Sequence, residues 1–241
     1  MISGAELCRF SIHRDRSDAV VPLKLTKGTQ PTDTHGAFHS SPNVDEQAIV
    51  DALVDMPIHG GADGLIPAFN LYLANTPADF YNMVCIRFVE EMENASLGTA
   101  ARSQLVHDAE TCGMHTFRGI IASPEWEALV GPMIRQDGDT LYGIIAVSNA
   151  LGWGNWHVLE HTPSESLQLQ SLNGYEACGY LAHRGNAKQP VCHMLTGVAA
   201  GILELVYGEG LARERFGQFQ SFEQTCRCCE QPSCTFIVGE T

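Results

Sequence analysis

The run Glu223-Gln224-Thr225-Cys226-Arg227-Cys228-Cys229-Glu230-Gln231-Pro232-Ser233-Cys234-Thr235-Phe236-Ile237-Val238 places four cysteines within nine positions, ahead of a β-branched, aromatic tail. Phe216 to Val238 reads as two short strands around a cysteine-rich turn, with Gln231-Pro232-Ser233 reversing the chain. Clustered thiols of this kind read as metal ligands or reactive groups before they read as a disulfide framework. A structural zinc takes four tetrahedral ligands, usually thiolate or imidazole and sometimes carboxylate. If the chain reverses at the proline, Glu223, Cys226 and Cys234 converge. Cys192 offers a fourth ligand from the start of a helix predicted over Cys192 to Tyr207, where the helix dipole favours a thiolate. Cys228 and Cys229 compete for these roles. The four C-terminal cysteines could also form a site by themselves, and a set of reduced, inert thiols is the bland alternative.

Working back from that end, Tyr175 to Arg184 reads as a helix closed by Gly185. Trp156 to Glu160 and Leu167 to Leu172 read as a β-hairpin, the second run alternating cleanly. Asp139 to Asn149 is a strand or a buried helix; so short an apolar run does not separate the two. Pro124 to Ile134 is predicted as a helix with Ser123 as cap and Pro124 in its first position. Pro77 to Met92 and Thr99 to Cys112 are two more, the latter stopped by Gly113. Residues 1–64 are rich in loop composition with one short helix over Asp45 to Met56, and they read as an extension bearing His35, His39 and His59. The main domain spans 65–241, and the fold class is α+β, with an antiparallel sheet and packed helices.

The chain has 241 residues, 44% of them hydrophobic and 17% charged, which suits a folded core. Fourteen basic against twenty-eight acidic residues give a net charge of −14, a field that disfavours nucleic acid and membrane partners. No segment approaches the ~20 apolar residues of a membrane span. The N-terminus lacks a basic start followed by an apolar core, so a cytoplasmic location is expected.

Asn173-Gly174-Tyr175-Glu176-Ala177, Pro190-Val191-Cys192, Gly197-x3-Gly201 and Glu223-x2-Cys226-x7-Cys234 together resemble the 4-vinyl reductase domain. The form most similar is that of the sensor regions of phenol- and xylene-responsive activators. Leu97-Gly98-x2-Ala101-Arg102 and Ala150-Leu151-Gly152-Trp153-Gly154 fit the same pattern, which covers roughly residues 70 to 241. The resemblance implies a domain that often dimerises. It also implies one structural zinc per chain on Cys192, Glu223, Cys226 and Cys234, and a nearby internal pocket for a small aromatic compound. The stretch from Cys192 to Glu223 is longer than usual, which makes Glu214 a rival carboxylate. Ser171 stands where the phenol sensors tend to place a pocket tryptophan.

Trp126, Tyr142, Trp153, Trp156 and Tyr175 lie in segments that the resemblance assigns to the pocket wall. Met114, His115 and Phe117, just after the expected helix stop, could face the same cavity. Two function classes follow. One is a sensor or carrier of an aromatic ligand, acting through a separate partner, since no Walker-type loop and no helix-turn-helix pattern is present. The other, favoured on the count of ten histidines, is a hydrolase of aryl phosphates or esters. Its candidate catalytic residues are His115, His157, Arg118 and Arg184. Reduction of a vinyl group finds no nicotinamide or flavin fingerprint to supply hydride.

Overall fold

The structure is a computed structural model that describes residues 40–56, 58–211 and 214–241. The described chain opens on a buried carboxylate. Asp139 accepts from Ser41 Oγ (2.6 Å), Asn43 Nδ2 (3.0 Å) and the backbone N–H groups of Arg135 (2.8 Å) and Gln136 (3.1 Å). Burial opposes its charge, yet these donors hold its pKa below the ordinary value. The knot fastens the segment before α1 (Glu46–Val54) to the first turn of α5 (Asp137–Ala150). Asp45 caps α1, and Ile49 and Leu53, four residues apart, enter the common core. The described end of the expected extension is therefore packed on the main domain. His59 is exposed; His35 and His39 lie outside the described residues.

Between α1 and α5 lie β1 (Ile66–Ala68), β2 (Leu71–Leu73), α2 (Ala78–Asn94), α3 (Gly98–Ile121) and α4 (Pro124–Leu129). Three sequence expectations change here. The β1–β2 hairpin was not anticipated. Its two-residue turn, Phe69-Asn70, takes positive φ at both positions (55° and 56°) without a glycine, while Asn70 Nδ2 donates to Ala122 O at 2.8 Å. The helix expected over Pro124 to Ile134 starts at its Ser123 cap but ends at Leu129 and gives way to a 3-10 turn, Gly131–Met133. Pro132 disfavours helical geometry at the residue before it. Finally, α3 does not stop at Gly113 but runs through it to Ile121. A Cβ at Gly113 would stand 3.4 Å from Val198 Cα, so this glycine serves helix contact rather than termination.

The four-stranded sheet is antiparallel in the order β3 (Trp156–Thr162), β4 (Ser166–Ser171), β6 (Cys234–Glu240), β5 (Phe219–Thr225). Trp156, Val158, Leu167, Leu169, Phe236 and Val238 turn one face into the core. The ambiguous run over Asp139 to Asn149 is the buried helix α5. α6 (Tyr175–Arg184) ends at Gly185, whose φ of 75° a side chain would strain. α7 (His193–Tyr207) lies across the sheet and against α3. A Cβ on Gly197 would fall 2.0 Å from Val106 O, and one on Gly201 would fall 2.6 Å from Glu110 O, so the two helices meet backbone to backbone.

This close approach brings Glu110 of α3 beside Glu204 of α7. Gly217 N donates to Glu110 (3.1 Å) and Phe219 N to Glu204 (3.3 Å), so the pair holds the approach to β5. Burial first, and then the charge of Glu110, pushes Glu204 up to about 8 from 4.5. The folded state thus keeps a proton that the unfolded chain releases near its ordinary carboxylate pKa. Stability from this group is full below about pH 4.5 and is lost as pH rises through about 8. Glu204→Gln removes that dependence. Thermal unfolding from pH 5 to 9 should show the variant gaining on wild type by a few degrees, roughly what 1–2 kcal/mol produces in a domain of this size; parallel curves would refute the shared-proton reading.

Candidate metal centre and ligand cleft

Three elements deliver the cysteine cluster. Cys192 is the N-cap residue of α7, Glu223 lies on β5, and Cys226 and Cys234 flank the turn that joins β5 to β6. One ligand atom from each of the four lies within 4.8 Å of the others, and Cys192 Sγ and Cys234 Sγ are 3.7 Å apart. All three cysteines are buried. Glu223 Oε2 accepts from Cys192 N at 2.8 Å, whereas its buried Oε1 has no partner. Without a cation the cluster relies on protons: hydrogen bonds from Cys192, Cys228 and Cys234 push the Cys226 thiol down, and donating to Cys226 pushes Cys192 up. Burial and the Cys226 charge raise Glu223 to about 8. An orphaned carboxylate oxygen facing three convergent sulfurs fits a metal ion, and these four residues could hold one.

The rivals are not among the four donors that converge. Cys228 Sγ points to Ala177 O (3.5 Å), and Cys229 sits half-buried on the 3-10 turn Arg227–Cys229. Glu214 binds Leu211 N (2.9 Å) within the excursion after α7.

Beside the cluster, α2, α6 and the segment leading into α7 enclose a cleft of ≈ 530 Å³. The inner face of α2 supplies Asn82, Cys85, Ile86 and Val89, and Tyr180 and Val191 face them. Asn82 is only 4% exposed. Its Nδ2 donates to Tyr175 O (3.1 Å), which leaves Oδ1 as an acceptor in the cleft lining. Glu176 closes the floor by capping α7, accepting from Met194 N (3.1 Å) and Leu195 N (2.8 Å). Burial raises Glu176 to about 8, against the two backbone N–H groups that favour its charge, and raises Cys85 to about 11. Of the cleft residues, Arg102, Glu176 and Val191 stand in the stretches that carry the resemblance, and none was expected to line a pocket. The available signal was phase: residues 82, 85, 86, 89 and 93 recur at helical spacing, with a lone asparagine among apolar neighbours.

The expected aromatics gather around no single described cavity. Trp126 packs under Gly143, and Tyr142 lies in a shallow hollow with His161 and Tyr207. Trp153 tilts against Phe117, Trp156 stacks on Phe236, and Tyr175 meets Tyr81. Three of them share a neighbourhood, since Tyr175 N donates to Trp153 O and Trp156 pairs in register with Ser171. There Trp156 Nε1 and Ser171 Oγ are buried without partners, each just under 3 Å from the point where a Cβ on Gly154 would stand.

The candidate catalytic residues fall in three places. His115 and Arg118 line one hollow of ≈ 390 Å³ with His107, Met114 and Phe216. His157 lies on β3 beside residues 40–46, and Arg184 is committed to Glu90 through Nε (2.6 Å) and Nη2 (2.9 Å). Met114 and Phe117, expected after a helix stop, are buried within α3. No helix of the described residues is long and apolar enough to cross a membrane.

No family model and no curated protein matches the chain. Among solved structures it is similar to the phenol-responsive sensory domain of the transcription activator PoxR, crystallised with phenol. The TM-score is 0.61 at 13% identity, over 81% of this chain and 90% of that one. A trafficking protein particle complex subunit 3 from Naegleria fowleri, covalently bound to palmitic acid, aligns with a TM-score of 0.45 at 12% identity, over 68% and 95%. At such identity the first likeness shows a shared fold.

A metal held by the four donors joins α7 to β5 and β6, so its loss should cost several kcal/mol. Cys234→Ser, or a strong chelator, should lower Tm by roughly 10 °C or more, at 2–4 °C per kcal/mol for a chain of this length. Cys229→Ser serves as the control and should leave Tm unchanged. Equal effects of the two substitutions would argue against the four-donor site.

Proposed function

We propose that the chain is a small-molecule-binding domain of the 4-vinyl reductase type that takes a small, uncharged aromatic compound into the cleft behind α2. The cleft itself carries the reading. Its ≈ 530 Å³ is within the size range of ligand sites; Ile86, Val89, Tyr180 and Val191 give it an apolar side beside Asn82, and Glu90, Glu93, Arg102 and Lys188 line the rest. A phenolic hydroxyl could donate to Asn82 while the ring rests against Tyr180, Ile86 and Val89. The shared fold with a phenol-responsive domain supports the ligand class. We further propose that the metal is zinc. Three thiolates and a carboxylate suit it and leave no open position, so its part is to cross-link the fold and not to react.

Calorimetry with phenol and its methyl-substituted relatives tests the ligand assignment. Asn82→Leu should weaken binding by about tenfold, the worth of one hydrogen bond. Ile86→Trp should abolish it by filling the cleft, while Ser171→Ala should leave it unchanged. If Ser171→Ala weakens binding and the cleft variants do not, the ligand lies instead at the Trp156–Ser171 pair.

Hydrolysis is the second reading, and one observation favours it: His115 and Arg118 share a hollow. Arg118 would anchor a phosphoryl oxygen and His115 would take the proton of an attacking water. Turnover of 4-nitrophenyl phosphate that is lost in Arg118→Ala and His115→Ala would support this reading. Turnover indifferent to both, or none, would eliminate it.

A further inference from the structure

Because α3 runs unbroken through Gly113, His107, Met114, His115 and Arg118 recur along one side of a single helix. They line the hollow of ≈ 390 Å³, which Leu205 of α7 and Phe216 of the excursion after α7 close. That volume lies within the range of small-molecule sites. The hollow has two halves. Met114, Leu205 and Phe216 make one half apolar, and the His107 ring stands edge-on to Phe216, with centroids 4.6 Å apart at 89°. The next residue, Gly217, donates its N–H to Glu110, so this wall is anchored to the Glu110–Glu204 pair. His115 and Arg118 make the other half polar. The Thr111 hydroxyl is already committed, donating to His107 O at 3.2 Å. No carboxylate is among the residues that line the hollow, although the chain holds twenty-eight acidic residues. Elsewhere Arg102 is held by Glu93, Arg184 by Glu90, and Arg215 by the carbonyls of Gly210 and Leu205. Among the described residues the Arg118 guanidinium has no ion pair and no hydrogen bond, even though Asp137 lines the adjoining hollow. The His115 ring has none either.

We propose that this hollow binds a small organic carboxylate, its oxygens on Arg118 and His115 and its apolar body among Met114, Leu205 and Phe216. A guanidinium presents its N–H donors in a planar fork that matches the two oxygens of a carboxylate. An imidazole offers a ring N–H in either protonation state, so His115 can donate to the same group. The two residues are three apart in α3, which makes them neighbours on the helix surface at about 5–6 Å between Cβ atoms. One carboxylate can therefore reach both. Charge selects the class of anion. Arg118 is the one permanent cation among the lining residues, and the net charge of −14 raises the cost of each further negative charge brought in. One guanidinium balances a carboxylate. It does not balance a phosphate monoester, which carries about −1.5 to −2 at neutral pH. The apolar half selects the body: an acid that bears a ring fills it, and acetate does not. Such a ligand has no bond for water to cleave, which separates this inference from the hydrolytic reading of the same hollow. The hollow and the cleft behind α2 share no lining residue, so the inference is also independent of what the cleft takes.

Calorimetric titration of the whole chain with sodium benzoate tests it. Benzoate should bind wild type and, equally well, Ile86→Trp, in which the cleft is filled. Arg118→Ala should weaken binding by about tenfold or more, the worth of hydrogen bonds to a charged group, and His115→Ala should weaken it severalfold. Both side chains are exposed, so neither variant should change the circular dichroism spectrum or Tm. Acetate should bind about tenfold more weakly than benzoate, because it leaves the apolar half unfilled. Absence of benzoate binding at millimolar concentration overturns the inference, as does an affinity indifferent to Arg118→Ala, or one lost in Ile86→Trp alone. Phenyl phosphate that binds more tightly than benzoate overturns the choice of a carboxylate and returns the hollow to the hydrolytic reading. Phenol binding that fails while benzoate binding holds counts against the cleft reading alone.

Discussion

The structure depends on how closely α7 approaches α3. Gly197 and Gly201 let the α7 backbone rest on the carbonyls of Val106 and Glu110, at distances that no side chain would permit. An alanine at Gly197 would place its methyl 2.0 Å from a carbonyl oxygen, far inside contact distance, and the helices would have to separate. The approach fixes α7 in both its ends. At the N-terminus it sets Cys192 over the β5–β6 turn, and at the C-terminus it sets Glu204 beside Glu110 and the approach to β5. One contact therefore positions the donor cluster at Cys192, the cap that Glu176 places on α7, and the carboxyl pair Glu110–Glu204.

The metal cluster and the cleft are consequences of the same short segment. Residues 186–192 leave α6, form a wall of the cleft and end on Cys192, while Ala187 N donates to Cys228 O (2.7 Å) across the cysteine turn. A metal held by these four donors would stiffen the segment that forms the cleft wall, so the cysteine cluster and the cleft are neighbours joined by one stretch of chain.

Much of this architecture was legible in the sequence, and the parts that were not share a cause. The hairpin of β3 and β4, the helix ending at Gly185, the Ser123 cap and the long helix after Cys192 all rest on local signals such as alternation, capping and turn chemistry. Gly113 misled because a glycine inside a helix has two readings, and only the partner helix decides between them; here Val198 was that partner. The β1–β2 turn carried no signal because Phe69 and Asn70 adopt positive φ without glycine. The convergence of Cys192, Glu223, Cys226 and Cys234 was legible through spacing and resemblance together, while the separation of Cys226 from its neighbours Cys228 and Cys229 needed coordinates. The aromatic residues did not point to the cleft. Trp126 and Trp156 instead fill the core, as large rings do by default. The cleft announces itself by a polar residue, Asn82, on the inner face of a helix.

That asparagine also fixes how α2 meets α6. It is the buried residue of the helix, and it sits opposite Gly179, where a Cβ would lie 1.8 Å from Nδ2, so only a glycine of α6 lets the amide reach Tyr175 O. The inner face of α2 is thus fastened to α6 at one polar contact, while Ile86 and Val89 line the cleft beside it.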